Sequence, residues 1–158
     1  MDLSTIFSAG NTIALTGWLA MLVGLFFGPA RKPAFLYSGL ILPAAIAVAY
    51  LALLAMAMTG QFGAGAKMDF SSLAGVRGLL GSDSGATIGW FHYLAFDMVV
   101  GTWVARDGLA RGLWGIALVP ILALVFLFGP VGFLIYVVVW ALFLRGKHPT
   151  APHPAANA

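Results

Sequence analysis

Asp97 lies in the stretch G-W-F-H-Y-L-A-F-D-M-V-V-G-T-W-V-A-R-D-G, residues 89–108, which is apolar enough for a bilayer yet carries His92 and a carboxylate well inside it. On translocon scales an aspartate near mid-membrane costs roughly 2.5–3.5 kcal/mol, so it is expected to face the bundle interior, to be neutral, or to find partners. An acid so placed is read first as a functional group, a proton acceptor in acid/base chemistry. The competing reading is a carboxyl hydrogen-bonded to a neighbouring helix and serving assembly alone. His92 adds a side chain that titrates near neutral pH and suits proton transfer. A histidine near a helix end is equally often an interfacial residue.

Spacing refines this set. At 3.6 residues per turn, His92 is rotated roughly 140° from Asp97, so the two are expected to flank a pocket rather than touch. Tyr93 and Asp97 stand at i and i+4 on one face, with Gly101 next along it. Tyr93 is thereby placed to hydrogen-bond Asp97, and Gly101 is expected to leave room for a substrate or another helix. The catalytic candidates are Asp97, His92 and Tyr93. The candidates for lining a substrate site are Asn11, Trp90, Gly101, Trp103, Asp107 and Tyr136. Asp107 lies roughly 15 Å along the axis from Asp97, too far for a close carboxylate dyad. Tryptophans at span ends are more commonly interfacial anchors than ligand contacts.

Other chemistries are absent from the sequence. It has no HExxH, P-loop, GxSxG or dinucleotide fingerprint. It has no cysteine, hence no thiol nucleophile and no cysteine-ligated metal. His148 and His153 fall in a Pro- and Ala-rich tail, and one membrane histidine cannot supply bis-histidine haem ligation within a single chain. No metal and no cofactor is expected. Ionisable groups recur mid-span in one segment only, which disfavours a proton pump, a voltage sensor or a small transporter.

The elements that must position these residues are membrane spans. Of 158 residues 61% are hydrophobic and 8% charged, against about 25% charged in soluble domains. Mean hydropathy is +0.99. The apolar runs are long enough to cross a hydrocarbon core about 30 Å thick. Four spans are expected, at about residues 6–28, 35–59, 90–105 and 117–144. The fold expected is all-α: a polytopic membrane protein with a four-helix transmembrane bundle over residues 1–145 and a disordered tail over 146–158. Gly24 and Gly28 form a small-xxx-small pattern that permits close helix approach. Pro43 should kink the second span, Pro120 should sit in the first turn of the fourth, and Gly129-Pro130 should kink that span in its middle. Residues 60–89 form a Gly- and Ser-rich connector whose patch at 73–80 is too short to span and reads as an interfacial or re-entrant helix.

The net charge of +3 comes from eight basic residues against five Asp. The basic residues sit at the ends of apolar runs, as headgroup contacts do, and no basic patch suggests nucleic acid. Four spans put both termini on one side with Lys67, Arg77, Arg145 and Lys147, against Arg31, Lys32, Arg106 and Arg111 opposite. The second set lies in shorter loops, which tilts the termini toward the outside. Residues 1–11 lack the basic start of a secretory signal, so the first run is expected to be a retained span.

W-F-H-Y-L-A-F-D-M-V-V-G-T-W-V-A-R-D-G, residues 90–108, resembles the signature of the abscisic-acid-deficient-4-like family, which includes plant neoxanthin synthase. F-G-P-V-G-F-L-I-Y, residues 128–136, is similar to that family's last span. The missing plastid transit peptide makes the chain look like a bacterial relative, in which case it would be an inner-membrane protein. The resemblance implies an intramolecular isomerisation in which a carotenoid epoxide opens as a neighbouring proton is lost, with no net redox change. Asp97 would then act as base, with His92 or Tyr93 donating to the oxygen. The partners implied are a membrane lipid or carotenoid-like substrate and the bilayer itself, with a homo-oligomer as a further option. Against the enzyme stands a non-catalytic membrane subunit or lipid-binding module in which Asp97, Tyr93 and Asn11 bind helices together.

Overall fold

The computed structural model describes residues 2–62 and 69–146 and contains only helices among them. Lys67 and the tail with His148 and His153 lie outside the described residues. The first helix, α1 (Leu3–Phe26), starts at an N-cap on Asp2 and ends at Phe27. A single turn at Gly28–Ala30 leads directly into α2, so that Gly28–Met58 is one continuous 31-residue helix. Arg31 Nε donates to the carbonyl of Gly24 at 3.1 Å, satisfying one of the orphan acceptors that every helix end leaves. α1 and α2 are both long and apolar enough to cross a membrane.

Pro43 acts on α2 by widening it rather than by kinking it alone. It lacks an amide proton, and its ring crowds the carbonyl four residues back. The chain responds with a π turn at Tyr37–Ile41, in which the Leu42 amide reaches Tyr37 rather than Ser38. This register brings Ser38 inward, fully buried, to a 3.0 Å hydrogen bond with Thr102.

The connector patch forms α3 (Leu73–Leu80), with Leu73 and Phe70 exposed beside it. Ser72 caps it by accepting from the Gly75 amide at 3.0 Å. Asp69, immediately ahead, accepts from the hydroxyls of Ser71 and Ser72, both at 2.6 Å, and from the Ser71 amide at 2.8 Å. These hydrogen bonds, led by the Ser71 hydroxyl, hold its carboxyl down to about 2.

The segment expected at residues 90–105 is longer in both directions. α4 (Asp83–Ala110) has 28 residues, or roughly 42 Å at 1.5 Å per residue. It is the axis of the bundle. α1 lies parallel to it: a Cβ at Gly10 would meet Phe91, one at Gly17 would meet Met98, and one at Gly101 would meet Trp18. α2 lies antiparallel, with Ser38 at Thr102 and Tyr50 at His92. Small residues at these crossings let the backbones approach, as in other membrane helix pairs. Gly24 follows that rule against Ala34 and Phe35, whereas Gly28 has nothing within 4 Å.

The fourth span is a correction. Residues 115–144 form two short helices, α5 (Gly115–Phe128) and α6 (Pro130–Leu144), that double back at Gly129. α5 runs antiparallel to α4, placing Leu118 at Gly108 and Gly129 at Asp97. α6 then retraces the same half of α4: Trp103 meets Phe133 and Tyr136, Tyr136 bonds Asp107, and Trp140 lies 5.7 Å from the Arg111 guanidinium. Each arm is roughly 21 Å long, too short for a hydrocarbon core of about 30 Å. Two features of F-G-P-V-G allow a reversal where a kink was expected. Gly129 takes φ +35°, and Gly132 lets the α6 backbone lie against Val125 and Leu124. Pro120 sits inside α5 rather than in its first turn.

This hairpin moves the C-terminal end to the side of Arg111 and away from the N-terminus. Among the described residues that side then carries Arg31, Lys32, Arg106, Arg111 and Arg145, and the N-terminal side only Arg77. The tie counted on four spans no longer holds, and under the positive-inside rule the side with five basic residues is the one expected to face the cytoplasm. A reporter fused after Gly146 is expected to read as cytoplasmic, and one ahead of Asp2 as external. Two reporters on the same side of the membrane would restore a full fourth crossing.

Candidate functional site

The expected site residues separate into four groups along α4. Three of these groups hold the helices together. Asn11 accepts from Trp90 Nε1 at 2.9 Å, which fastens α1 to α4, and donates back within α1 to the Phe7 carbonyl at 3.0 Å, so both ends of its amide are engaged. Gly101 is not open space. A Cβ there would lie 2.7 Å from the Trp18 ring, which fills the gap and packs edge-on against Phe126 at 5.2 Å. Near the basic end, Asp107 Oδ2 accepts from Arg111 Nε at 2.7 Å and from the Tyr136 hydroxyl at 2.6 Å, with Trp103 edge-on to the Tyr136 ring at 5.4 Å. Tyr136 is fully buried.

Asn11, Trp90, Gly101, Trp103, Asp107 and Tyr136 therefore do not converge on a pocket for substrate. The Asp107–Tyr136 contact is the pin that holds α6 against α4. Tyr136→Phe is expected to cost about 1.5–3 kcal/mol, the worth of a hydrogen bond to a charged group, seen as a lower melting temperature.

The fourth group comprises His92, Tyr93 and Asp97. Tyr93 is 55% exposed and Phe96 59%, so this strip of α4 faces outward above the hairpin tip. His92 stacks on Phe96 at 4.6 Å and 24°, and the Tyr50 ring of α2 lies 6.1 Å away. Asp97 is partly buried, with its carboxylate against Gly129, where a Cβ would come within 2.5 Å of Oδ1. The N-terminus of α6 begins one residue later, and the positive end of a helix is favourable for a carboxylate. The Tyr93–Asp97 hydrogen bond expected from their i, i+4 spacing is not formed. As the helical rotation requires, His92 and Asp97 also make no ion pair.

His92 and Tyr93 form the floor of a cleft of about 300 Å³ between α2, α3 and the start of α4. Asp97 stands five residues further along α4, roughly 7.5 Å deeper. The sequence reading missed Tyr50 on the opposite wall. Its signal was available: it is the only aromatic and the only hydroxyl in the aliphatic run of residues 42–58. The pairs Ser38–Thr102 and Thr16–Tyr37 were also missed. Thr16 spends its proton on the Ile13 carbonyl at 2.6 Å, so the Tyr37 hydroxyl is the donor in their 2.8 Å contact.

Residues 5–136 match the family model described as ABA DEFICIENT 4-like. The chain belongs to that family. No curated protein and no solved structure matches it. Within this ABA DEFICIENT 4-like chain, the H-Y-L-A-F-D segment runs from the cleft floor to the hairpin tip, and F-G-P-V-G is the tip itself. The two segments that carried the resemblance pack against each other, from Asp97 against Gly129, through Trp103 beside Phe133, to Tyr136 on Asp107. Among the described residues no group of His, Cys, Asp and Glu is arranged to hold a metal ion.

Proposed function

We propose that the chain is a small membrane enzyme of the neoxanthin synthase kind that isomerises a carotenoid epoxide or a related isoprenoid by acid/base chemistry within the bilayer. The observation that carries this is Asp97 itself: a mid-span carboxylate, half open to the outward strip shared with Tyr93, that makes no hydrogen bond to any described residue. The helix-to-helix polar contacts are made elsewhere, by Ser38–Thr102, Thr16–Tyr37, Asn11–Trp90 and Asp107–Tyr136. An acid kept unpaired in a bundle that has other fasteners is better suited to accept a proton than to hold helices.

In the proposed step Asp97 removes a proton from carbon and the released electron pair forms the new C=C bond. The adjacent epoxide C–O bond breaks, and its oxygen takes a proton from His92 or Tyr93. One proton leaves carbon and one arrives at oxygen, so the product is an isomer, and no oxidant or reductant enters. Return of the proton from Asp97 to the donor closes the cycle. The separation along α4, roughly 7.5 Å from His92 or 6 Å from Tyr93, puts base and acid on different atoms of the reacting segment rather than on one.

A second reading, a lipid-binding module without turnover, draws on the apolar cleft alone. Pigment and lipid profiles of a deletion strain separate the two. The enzyme reading expects an epoxide-bearing isoprenoid to accumulate and its isomer to vanish, with both restored by the wild-type chain. A profile identical to the parent strain overturns it.

A further inference from the structure

We infer that the groove along α4 between α2 and α6 seats one anionic phospholipid of the basic-side leaflet, with its phosphate between Lys32 and Arg106. This goes beyond the proposed reaction and stands without it. Three observations lead to it.

The first is an uncovered flank of α4. At 3.6 residues per turn, Thr102 points to α2, where it meets Ser38 and Gly39. Met98 and Gly101, at roughly −40° and −100° from Thr102, point to Gly17 and Trp18 of α1. Trp103, at roughly +100°, meets Phe133 and Tyr136 of α6. Val99 and Arg106, at roughly +60° and +40°, fall in the gap between α2 and α6, and both are exposed. On α2, Ala34 is turned toward Gly24 of α1. Lys32 and Leu36 lie roughly 160° round from Ala34, on the side of the gap, and they too are exposed.

The second is charge. α2 and α4 are antiparallel and joined at Ser38–Thr102, which fixes the relative depth of the two cations. Lys32 lies roughly 9 Å and Arg106 roughly 6 Å from that bond, both toward the basic end. Among the described residues neither makes an ion pair or a side-chain hydrogen bond, and Asp107, the one carboxylate at that end, is held by Arg111 and Tyr136. Two cations flanking one groove with no acid between them suit a phosphate. The side expected to be cytoplasmic is also the one whose leaflet carries negative charge.

The third is length and polarity. From Arg106 back to Phe96 is roughly 15 Å along α4, half of a hydrocarbon core about 30 Å thick. Leu36, Val99 and Phe96, exposed along that length, are apolar. They make a bed for an acyl chain, which a water-soluble anion would leave empty.

The test is native mass spectrometry of the full chain in a neutral detergent, titrated with dioleoyl phosphatidylglycerol. Dioleoyl phosphatidylcholine is the zwitterionic comparison. One phosphatidylglycerol is expected to bind tightly, and phosphatidylcholine more weakly. K32Q/R106Q should weaken phosphatidylglycerol about 25-fold, roughly fivefold for each cation, and leave phosphatidylcholine little changed. Arg145→Gln removes a charge from the same side at the end of α6 and should bind as the wild type does. Val99→Trp fills the bed, keeps both cations and should weaken both lipids, so it carries the test should the double variant fail to accumulate.

Equal affinity for the two lipids, or a folded double variant that binds like the wild type, overturns the inference. A loss in Arg145→Gln as large as in Arg106→Gln overturns it by reducing the site to the general charge of that side. Displacement of the lipid by glycerol 3-phosphate overturns it in favour of a plain anion site. A dimer that persists without phospholipid and takes up none gives the groove to a second copy and overturns it as well.

Discussion

Asp97→Asn is expected to lower product formation by about 10²–10⁴-fold, the usual contribution of a positioned acid or base, while the protein accumulates and melts as the wild type does. The two halves of that result come from the same observation. The carboxylate makes no hydrogen bond within the described structure, so an amide of nearly the same shape loses no partner. It does lose the ability to take a proton. If Asp97 were instead a fastener between helices, the order would reverse: abundance and melting temperature would fall first, and activity only in proportion to the protein remaining. Measuring both in one membrane preparation decides between them. His92→Gln and Tyr93→Phe sharpen the assignment, because only the oxygen-side donor should bring a loss that depends on how good the leaving oxygen is. Equal and small effects from both would move the donor role elsewhere, with Tyr50 the next group on the cleft wall.

The sequence was most informative where the chain obeys one rule at a time. Long apolar runs bounded by Pro, Gly and charge locate α1 and α2, and hydrophobic length alone is enough because lipid forces every backbone polar group to be satisfied inside the segment. The rotation between His92 and Asp97 follows from helix geometry and holds in the structure. The Tyr93–Asp97 contact rested on the same geometry and fails, since sharing a face permits a hydrogen bond without supplying a reason for it. Gly101 left two options open in the sequence, a substrate or another helix, and it is the other helix, through Trp18 of α1, that takes the space. Asn11, Asp107 and Tyr136 carry polar groups that suit a pocket or a fastener equally well in sequence. Only the chain's return at Gly129 brings Tyr136 to Asp107, and no local pattern foretells a contact across 29 residues.

The hairpin is the element on which both the topology and the setting of Asp97 depend, and Gly132→Ala tests it by the sign of its effect. In a continuous kinked span, Gly132 would be an interior helical glycine, and replacing it by alanine would stabilise the helix by up to about 1 kcal/mol. In the hairpin the new Cβ would lie 2.2 Å from the Val125 nitrogen and 2.7 Å from the Leu124 carbonyl carbon. Both are backbone atoms that no rotamer change can withdraw, so overpacking of about 1–3 kcal/mol or more is expected, read as a lower melting temperature. Gly129→Ala adds the second half of the test. Its φ of +35° disfavours any side chain, by roughly 1–2 kcal/mol, and its Cβ would press on Asp97 Oδ1 at 2.5 Å. Asp97→Ala removes the pressure and not the backbone strain, so the double variant should be more stable than the two single losses added, by about 0.5–3 kcal/mol of coupling. Additive losses would place the hairpin tip away from the acid. A gain in stability from Gly132→Ala would mean that residues 115–144 cross the membrane once, returning both termini to one side and taking Gly129 out of its place beneath the carboxylate.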